Sequence, residues 1–315
     1  MSDLTLAERP FNPATSGRSK KAGNRLKALL PYAFVIPPAA YLLIFMFWPL
    51  GKQIYMSLTR TRLVNPNRST FIGFGNFERL FSNAEFYSVL KITLTYSVMA
   101  VVLGVAVGLV AALALNRPFR GRTLIRGVLL FGWAVPNVAA ALIWLWIFNE
   151  RSGVLNTVVT GLGLNHVSWL TSTEMALPSI LLVTVWQVAP FVMLVMLAAL
   201  LSVPEEVKEA AIVDGADKFS VFKAVTLPHI LPILQLVSLL VMVWSIRRFD
   251  IIYLLTGGGP LGSTSTLVVK LRQVAFENYD LGLSSAYGVV GLVLALAVAA
   301  IHAFFNRRRQ KASSR

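Results

Sequence analysis

Six stretches of the chain read as continuous apolar runs, at residues 32–56, 92–115, 128–148, 177–201, 231–246 and 286–305. A bilayer is crossed by roughly 20 helical residues. Five runs meet that length, and the fifth in order is short unless it extends past Arg247. A backbone in hydrocarbon must satisfy its own hydrogen bonds, so the runs predict helices. No internal repeat relates the two halves, which argues against a complete single-chain carrier built on such symmetry.

Composition supports the membrane reading. Hydrophobic residues make up 56% of the 315 and charged residues 14%, against about 25% charged in soluble domains. So few charges cannot cover so much apolar surface, and the excess must face lipid. A large water-soluble core, a disordered chain and a disulfide-stapled secreted domain are excluded. With no cysteine there is no disulfide, thiolate metal site or cysteine nucleophile. His166, His229 and His302 lie far apart in sequence, which argues against a histidine metal cluster.

The net charge of +15 invites a nucleic-acid reading until the charges are placed. With the N-terminus inside, 18 of the 29 Lys and Arg fall on inner segments, while the acids divide equally, giving +11 inside and +4 outside. That bias predicts both termini in the cytoplasm and assigns the basic excess to the membrane, with no nucleic-acid partner. The organisation is a cytoplasmic tail (1–31), a six-helix membrane domain (32–305) and a basic C-terminal tail (306–315). Arg18, Lys20, Lys21, Arg25 and Lys27 precede the first run as in a signal peptide. The run is long, however, contains Pro37-Pro38 and is followed by no small-x-small cleavage site, so it reads as a retained span.

Several chemistries lack their motifs. There is no G-x-x-x-x-G-K-[ST] phosphate loop, no H-E-x-x-H and no G-x-S-x-G. Thr256-Gly-Gly-Gly-Pro-Leu-Gly-Ser lacks the phosphate-loop lysine and reads as a turn leaving the membrane. No carboxylate lies at the centre of a span, where a proton-coupled carrier would use one.

The loop at 202–230 is the most patterned segment. Ser202 and Glu205 form an S-x-x-E capping box, and Pro204 suits a first helical turn. Glu205 and Glu206 sit where the helix dipole favours acids. Gly215 supplies a stop and turn. A second short helix then runs to Pro228, with Phe219, Phe222 and Val225 on one face. Such a loop either lies on the membrane as an amphipathic element or docks a soluble partner.

The stretch Glu209-Ala-Ala-x-x-Asp-Gly-Ala-x-x-x-x-x-Phe222, continuing to Leu227-Pro228, resembles the EAA loop of ABC-importer permeases. Ile72-Gly-Phe-Gly-Asn-Phe is similar to the family's first outer-loop motif, and 149–156, with Gly153 and Asn156, to the segment after its third span. Phe249-Asp-Ile-Ile-Tyr-Leu-Leu-Thr-Gly-Gly-Gly-Pro resembles the carbohydrate-importer branch, the maltose and glycerol-phosphate type. Ile92, where many relatives carry asparagine, and Arg248, where an apolar residue is usual, depart from the pattern.

The resemblance implies an all-α type I importer permease fold in a bacterial inner membrane. It implies an ATPase-coupling surface at Glu209, Ala210, Ala211, Asp214, Gly215, Ala216, Phe222 and Pro228. It implies partners too: a second, non-identical permease, two ATP-binding cassette subunits and an external solute-binding protein. This chain would bind no cofactor, with ATP and Mg on the ATPase. A sugar passage would draw on aromatic faces and fixed amides: Trp133, Asn137, Trp144, Trp186, Gln187 and Trp244. Each tryptophan reads first as an interface anchor or packing residue, so Gln187 and Asn137, amides that need partners in apolar surroundings, are the better candidates. Arg247-Arg248 with Asp250 reads as a snorkelling or bridged interfacial cluster, or as an anion-attracting mouth. The competing function is a self-sufficient channel or ion-coupled carrier.

Overall fold

The computed structural model describes residue 32 and residues 34–313, without the side chains of 305 and 307–313. The proposed N-terminal tail lies outside the described residues. Two compact units divide the chain, residues 1–53 and 54–315. From residue 34 on, the described part of the first belongs to helix α1 (Phe34–Ser57), which contains a π turn at Leu43–Phe47.

The second unit continues with a hairpin, β1 (Thr59–Arg62) and β2 (Asn65–Phe71), and a short helix α2 (Gly75–Phe81). Helix α3 (Ala84–Leu115) is followed by α4 (Arg122–Ala134), α5 (Asn137–Ile147) and α6 (Val154–Gly161). Then come α7 (Ala176–Leu201), α8 (Glu205–Val213), α9 (Lys218–Ile246), α10 (Asp250–Thr256), α11 (Leu267–Phe276) and α12 (Leu281–Ser313). Among the described residues five helices are long and apolar enough to span a membrane, and there are six if the bent pair α4 and α5 counts as one span.

Helices α3 and α7 form the centre. Along α3, Tyr96, Ala100, Gly104, Gly108 and Ala112 recur every fourth residue and are buried. Small residues at this spacing let two backbones approach closely. The approach is tightest at Gly108, where a Cβ would stand 2.5 Å from the Cβ of Val192 and 2.8 Å from the carbonyl oxygen of Ala189. The one large member of the stripe, Tyr96, hydrogen-bonds its buried hydroxyl to Thr184 at 2.8 Å.

The structure corrects two spans. The third is not a straight helix over 128–148: α4 and α5 meet at 100°. Proline disfavours helical backbone at the residue before it, and Val135, preceding Pro136, is extended at φ −70°, ψ 127°. The fifth span does not start at 231. Its helix is continuous from Lys218 through Pro228 and Pro232, so Pro228 does not end a separate short helix. A π turn at Phe222–Thr226, with the Leu227 N–H reaching back to the Phe222 carbonyl, carries the helix past prolines that lack their own donors. The basic segment set apart as a C-terminal tail is, through Ser313, a continuation of α12.

Opposite the 202–217 loop, a polar cap joins distant segments. Asn76, from the Ile72–Phe77 motif, is fully buried and donates to the carbonyls of Ser57 (2.9 Å) and Thr59 (2.8 Å). Arg79 pairs with Asp280 at 3.2 Å, and Lys270 pairs with Glu85. Asn156, also in a motif segment, accepts from the Val167 N–H and the Trp169 indole, each at 3.1 Å. Both asparagines act as structural staples between loops.

Candidate functional site

Two interruptions of helix face each other across α7. One is the Val135-Pro136 bend; the other is Arg247–Phe249, between α9 and α10. Gln187 of α7, 4% exposed, stands between them. Arg248 donates from Nη1 to Gln187 Oε1 at 2.7 Å. Gln187 donates from Nε2 to Asn137 Oδ1 at 3.2 Å and to the Val135 carbonyl at 3.3 Å. Asn137, at the start of α5, donates to Asp250 Oδ2 at 3.3 Å.

A cation and a carboxylate thus end a chain of two amides and fix the orientation of both. The carbonyl freed by the bend gains a partner from the same glutamine. Four residues named from sequence, Asn137, Gln187, Arg248 and Asp250, are brought together. Arg247 is not: it caps α9 and is exposed. Among the described residues neither arginine forms an ion pair with a carboxylate. Within this chain the partly buried guanidinium of Arg248 donates to a neutral amide, and the carboxylate of Asp250 stands at the opposite end.

One turn from this chain, on the side of the 202–217 loop, lies a layer of rings. Phe191 follows Gln187 by four residues on α7, and Trp244 precedes Arg248 by four on α9. Phe191 stacks on Trp133 at 5.9 Å and tilts against Trp244 at 5.0 Å. Phe191 is absent from the residues picked by sequence, although its i+4 relation to Gln187 was a usable signal. Trp144 and Trp186 form a separate edge-to-face pair at 5.7 Å, and Trp144 packs on the buried Phe148 at 5.3 Å. They belong to packing around α5 and α7 as much as to any passage.

The exposed 202–217 loop holds α8 and, with the start of α9, forms a helix–turn–helix. The expected capping box is absent. Ser202 closes α7 instead, donating to the Ala199 carbonyl at 2.8 Å, and Pro204 occupies the N-cap of α8. Glu205 pairs with Lys208 at 2.7 Å. Helix α8 ends in a Schellman motif: the Gly215 N–H bonds to the Ile212 carbonyl and the Ala216 N–H to the Ala211 carbonyl, both at 3.0 Å. Gly215 has φ +88°, which a side chain would strain.

Asp217 then caps α9, accepting the Ser220 N–H at 3.1 Å, and hydrogen bonds from Ser220 hold its carboxyl below the usual range. Glu209, Ala210 and Asp214 are exposed; Ala211, Ala216 and Phe222 are half-buried. Val207, Ile212, Val213 and Phe219 add exposed apolar surface. Phe219 therefore does not share the packed face of Phe222 and Val225 expected from spacing; that face is completed by Val221 and Thr226.

Comparison with known proteins agrees over nearly the whole chain. The family described as binding-protein-dependent transport system inner membrane component matches residues 104–311. The chain is 34% identical to the trehalose/maltose transport system permease protein MalF of Thermococcus litoralis, over 90% of this chain and 96% of that protein. It is 34% identical to the sulfoquinovosyl glycerol transport system permease protein SmoG of Agrobacterium fabrum, over 89% and 90%. The fold is similar, at a TM-score of 0.80 and 23% identity, to a chain of a bacterial ABC transporter involved in import of the acidic polysaccharide alginate, covering 92% of this chain and 99% of that one.

Proposed function

We propose, on the premise that this chain belongs to the binding-protein-dependent transport system inner membrane components, that it is a permease subunit importing a sugar or sugar derivative under the power of ATP. The names of the relatives above support the cargo class. In the orientation proposed from charge, the 202–217 loop faces the cytoplasm.

One observation carries the mechanism: helix α9 is unbroken for 29 residues from the exposed loop to the polar chain. At 1.5 Å per residue this is a rod of about 43 Å. The loop docks in a groove of an ATPase subunit. Glu209 offers an exposed carboxylate without an ion-pair partner among the described residues. Ala210, Ala211 and Ala216 permit close approach, Asp214 and Gly215 form the bend, and Phe222 with Pro228 lies where the rod takes its π turn.

ATP and Mg bind the ATPase pair, and this chain holds no cofactor. Closure of that pair displaces the loop, and α9 transmits the displacement to Arg248 and Trp244. Nucleotide and cargo drive the cycle only through their different affinities for its states. A second, non-identical permease completes the passage, and an external binding protein delivers cargo to it.

The Arg248 guanidinium, which has no direct ion-pair partner among the described residues, supports a cargo bearing a carboxylate, phosphate or sulfonate. Such a group would replace Gln187 on the guanidinium with a stronger, charge-assisted partner. Once the cargo is known, an Arg248→Leu variant is expected to lose uptake; unchanged uptake would remove the anionic assignment and leave the importer reading standing. The importer reading itself is tested by purifying the tagged chain in mild detergent. A second six-span chain and an ATPase should accompany it and be lost on Glu209→Arg. A chain that arrives alone and moves solute into vesicles without ATP would favour the self-sufficient carrier.

A further inference from the structure

At the end of the molecule opposite the 202–217 loop, charge is unevenly placed. Residues 58–83 hold four arginines and one glutamate, whereas residues 149–176 hold one arginine and two glutamates. Three of the four arginines lie on the hairpin. In β1, Thr59 and Thr61 face inward and share a hydrogen bond of 2.8 Å, while Arg60 and Arg62 face outward. Arg60 stands opposite Thr70 of β2, so Arg68, two residues from Thr70, shares its face. Arg60, Arg62 and Arg68 are exposed, and none pairs with a carboxylate among the described residues. Asp280 meets Arg62 through the backbone. Its carboxylate is spent elsewhere, on Arg79 at 3.2 Å and on the Leu283 N–H at 2.9 Å. Like charges on one strand face destabilise a hairpin unless something acidic meets them.

The hairpin is rigidly mounted. Besides the Asn76 staple at its base, the Leu63 N–H bonds to the Tyr279 carbonyl at 2.9 Å. Gly282 closes on β1 so tightly that a Cβ would stand 2.2 Å from the Thr59 carbonyl oxygen. Around the arginines, Val64, Phe71 and Phe74 are exposed. Arginine beside aromatic surface is the composition of protein–protein contacts, and a surface held in place loses little freedom on binding. Membrane proteins gather arginine on the cytoplasmic side, where acidic headgroups also lie. In the orientation proposed from charge this hairpin is on the other side, so headgroups do not account for it.

We propose that this hairpin face docks an acidic edge of the external solute-binding protein. The proposal rests on the importer reading and adds which surface, and which sign of charge, the permease offers. The acidic balance of residues 149–176 disfavours the same edge. Together the two surfaces fix which way round the binding protein sits.

The test places a photo-crosslinking p-benzoylphenylalanine in place of Phe74, or of Glu174 in the acidic segment, in cells producing the whole transporter. The probe at position 74 should give an adduct with the solute-binding protein, and the crosslinked peptide should carry Asp or Glu. Arg60→Glu, Arg62→Glu and Arg68→Glu together should lower that adduct roughly tenfold, with co-purification of the ATPase subunit reporting that the variant assembles. Arg68→Glu alone, on a strand exposed along its length, should lower it about threefold. Replacing the acids of the crosslinked peptide by lysine should restore the adduct in the triple variant. A phospholipid adduct at position 74, a binding-protein adduct at position 174 only, or an adduct unchanged by the reversals would overturn the docking face and leave the importer standing. No binding-protein adduct from either position would count against the importer reading itself and take this proposal with it.

Discussion

Replacing Gln187 by leucine removes the centre of the polar chain while keeping the volume of the side chain. Three hydrogen bonds are lost. The bond from Arg248, at 2.7 Å, involves a charged donor, and such bonds contribute about 1.5–3 kcal/mol. The other two, to Asn137 and the Val135 carbonyl, are long at 3.2 and 3.3 Å; Asn137 is exposed, so these lie at the low end, about 0.5 kcal/mol each. The expected destabilisation is about 2.5–4 kcal/mol. A double-mutant cycle isolates the dominant part: Gln187→Leu, Arg248→Leu and both together, each unfolded reversibly by detergent titration. The single losses should fail to add, with a coupling of about 1.5–3 kcal/mol, whereas independent sites add within about 0.5 kcal/mol. Additivity within that margin would refute the chain as a connected unit.

Other perturbations follow from single contacts. Gly108→Ala places a Cβ 2.5 Å from that of Val192; forcing α3 from α7 should cost about 1–3 kcal/mol in the same unfolding assay, and a stability unchanged from wild type would contradict the close approach. Phe191→Ala removes the ring that touches both Trp133 and Trp244. Quenching of tryptophan fluorescence by an aqueous quencher should rise, while an unchanged quenching constant would mean the rings do not form a layer. The folded carboxyl of Asp217 titrates below its ordinary value of 3.8. Its cap therefore stabilises the start of α9 fully above that value and is lost only as pH falls through the lower folded one. Proteolysis of the 202–217 loop should be the same from pH 7 down to pH 5 in wild type and faster throughout that range in Asp217→Ala; equal rates in the two proteins would sink the cap.

What the sequence disclosed follows from which interactions are local. The spans were legible because lipid demands long apolar runs, and the turn at Gly215 because only a positive φ closes that helix. The bend at Val135-Pro136 lies inside an apolar run, so hydropathy hid it although the proline marked it. Pro228 misled in the opposite direction: a π turn ahead of it lets α9 continue, which is why the fifth span is long rather than short. Ser202 matched a capping pattern but was taken by the end of the preceding helix, and spacing alone cannot choose between two helices competing for one hydroxyl. The members of the polar chain were named individually as polar groups in apolar surroundings. Their pairing was not legible, since Asn137, Gln187 and Asp250 lie 50 and 113 residues apart along the linked pairs. Trp144 and Trp186 show the converse, since rings that suit a sugar also suit each other.

The central claim is that the 202–217 loop docks an ATPase from the cytoplasmic side. The chain contains no cysteine, so a single Ala210→Cys places one thiol on the exposed face of α8. In membranes of cells producing the whole transporter, a short thiol–amine crosslinker should join this cysteine to an ATP-binding subunit. The adduct should vanish when Glu209→Arg is added, and a membrane-impermeant maleimide applied from outside should leave the thiol untouched. Labelling from outside, or the absence of any adduct while the transporter still imports, would contradict the account.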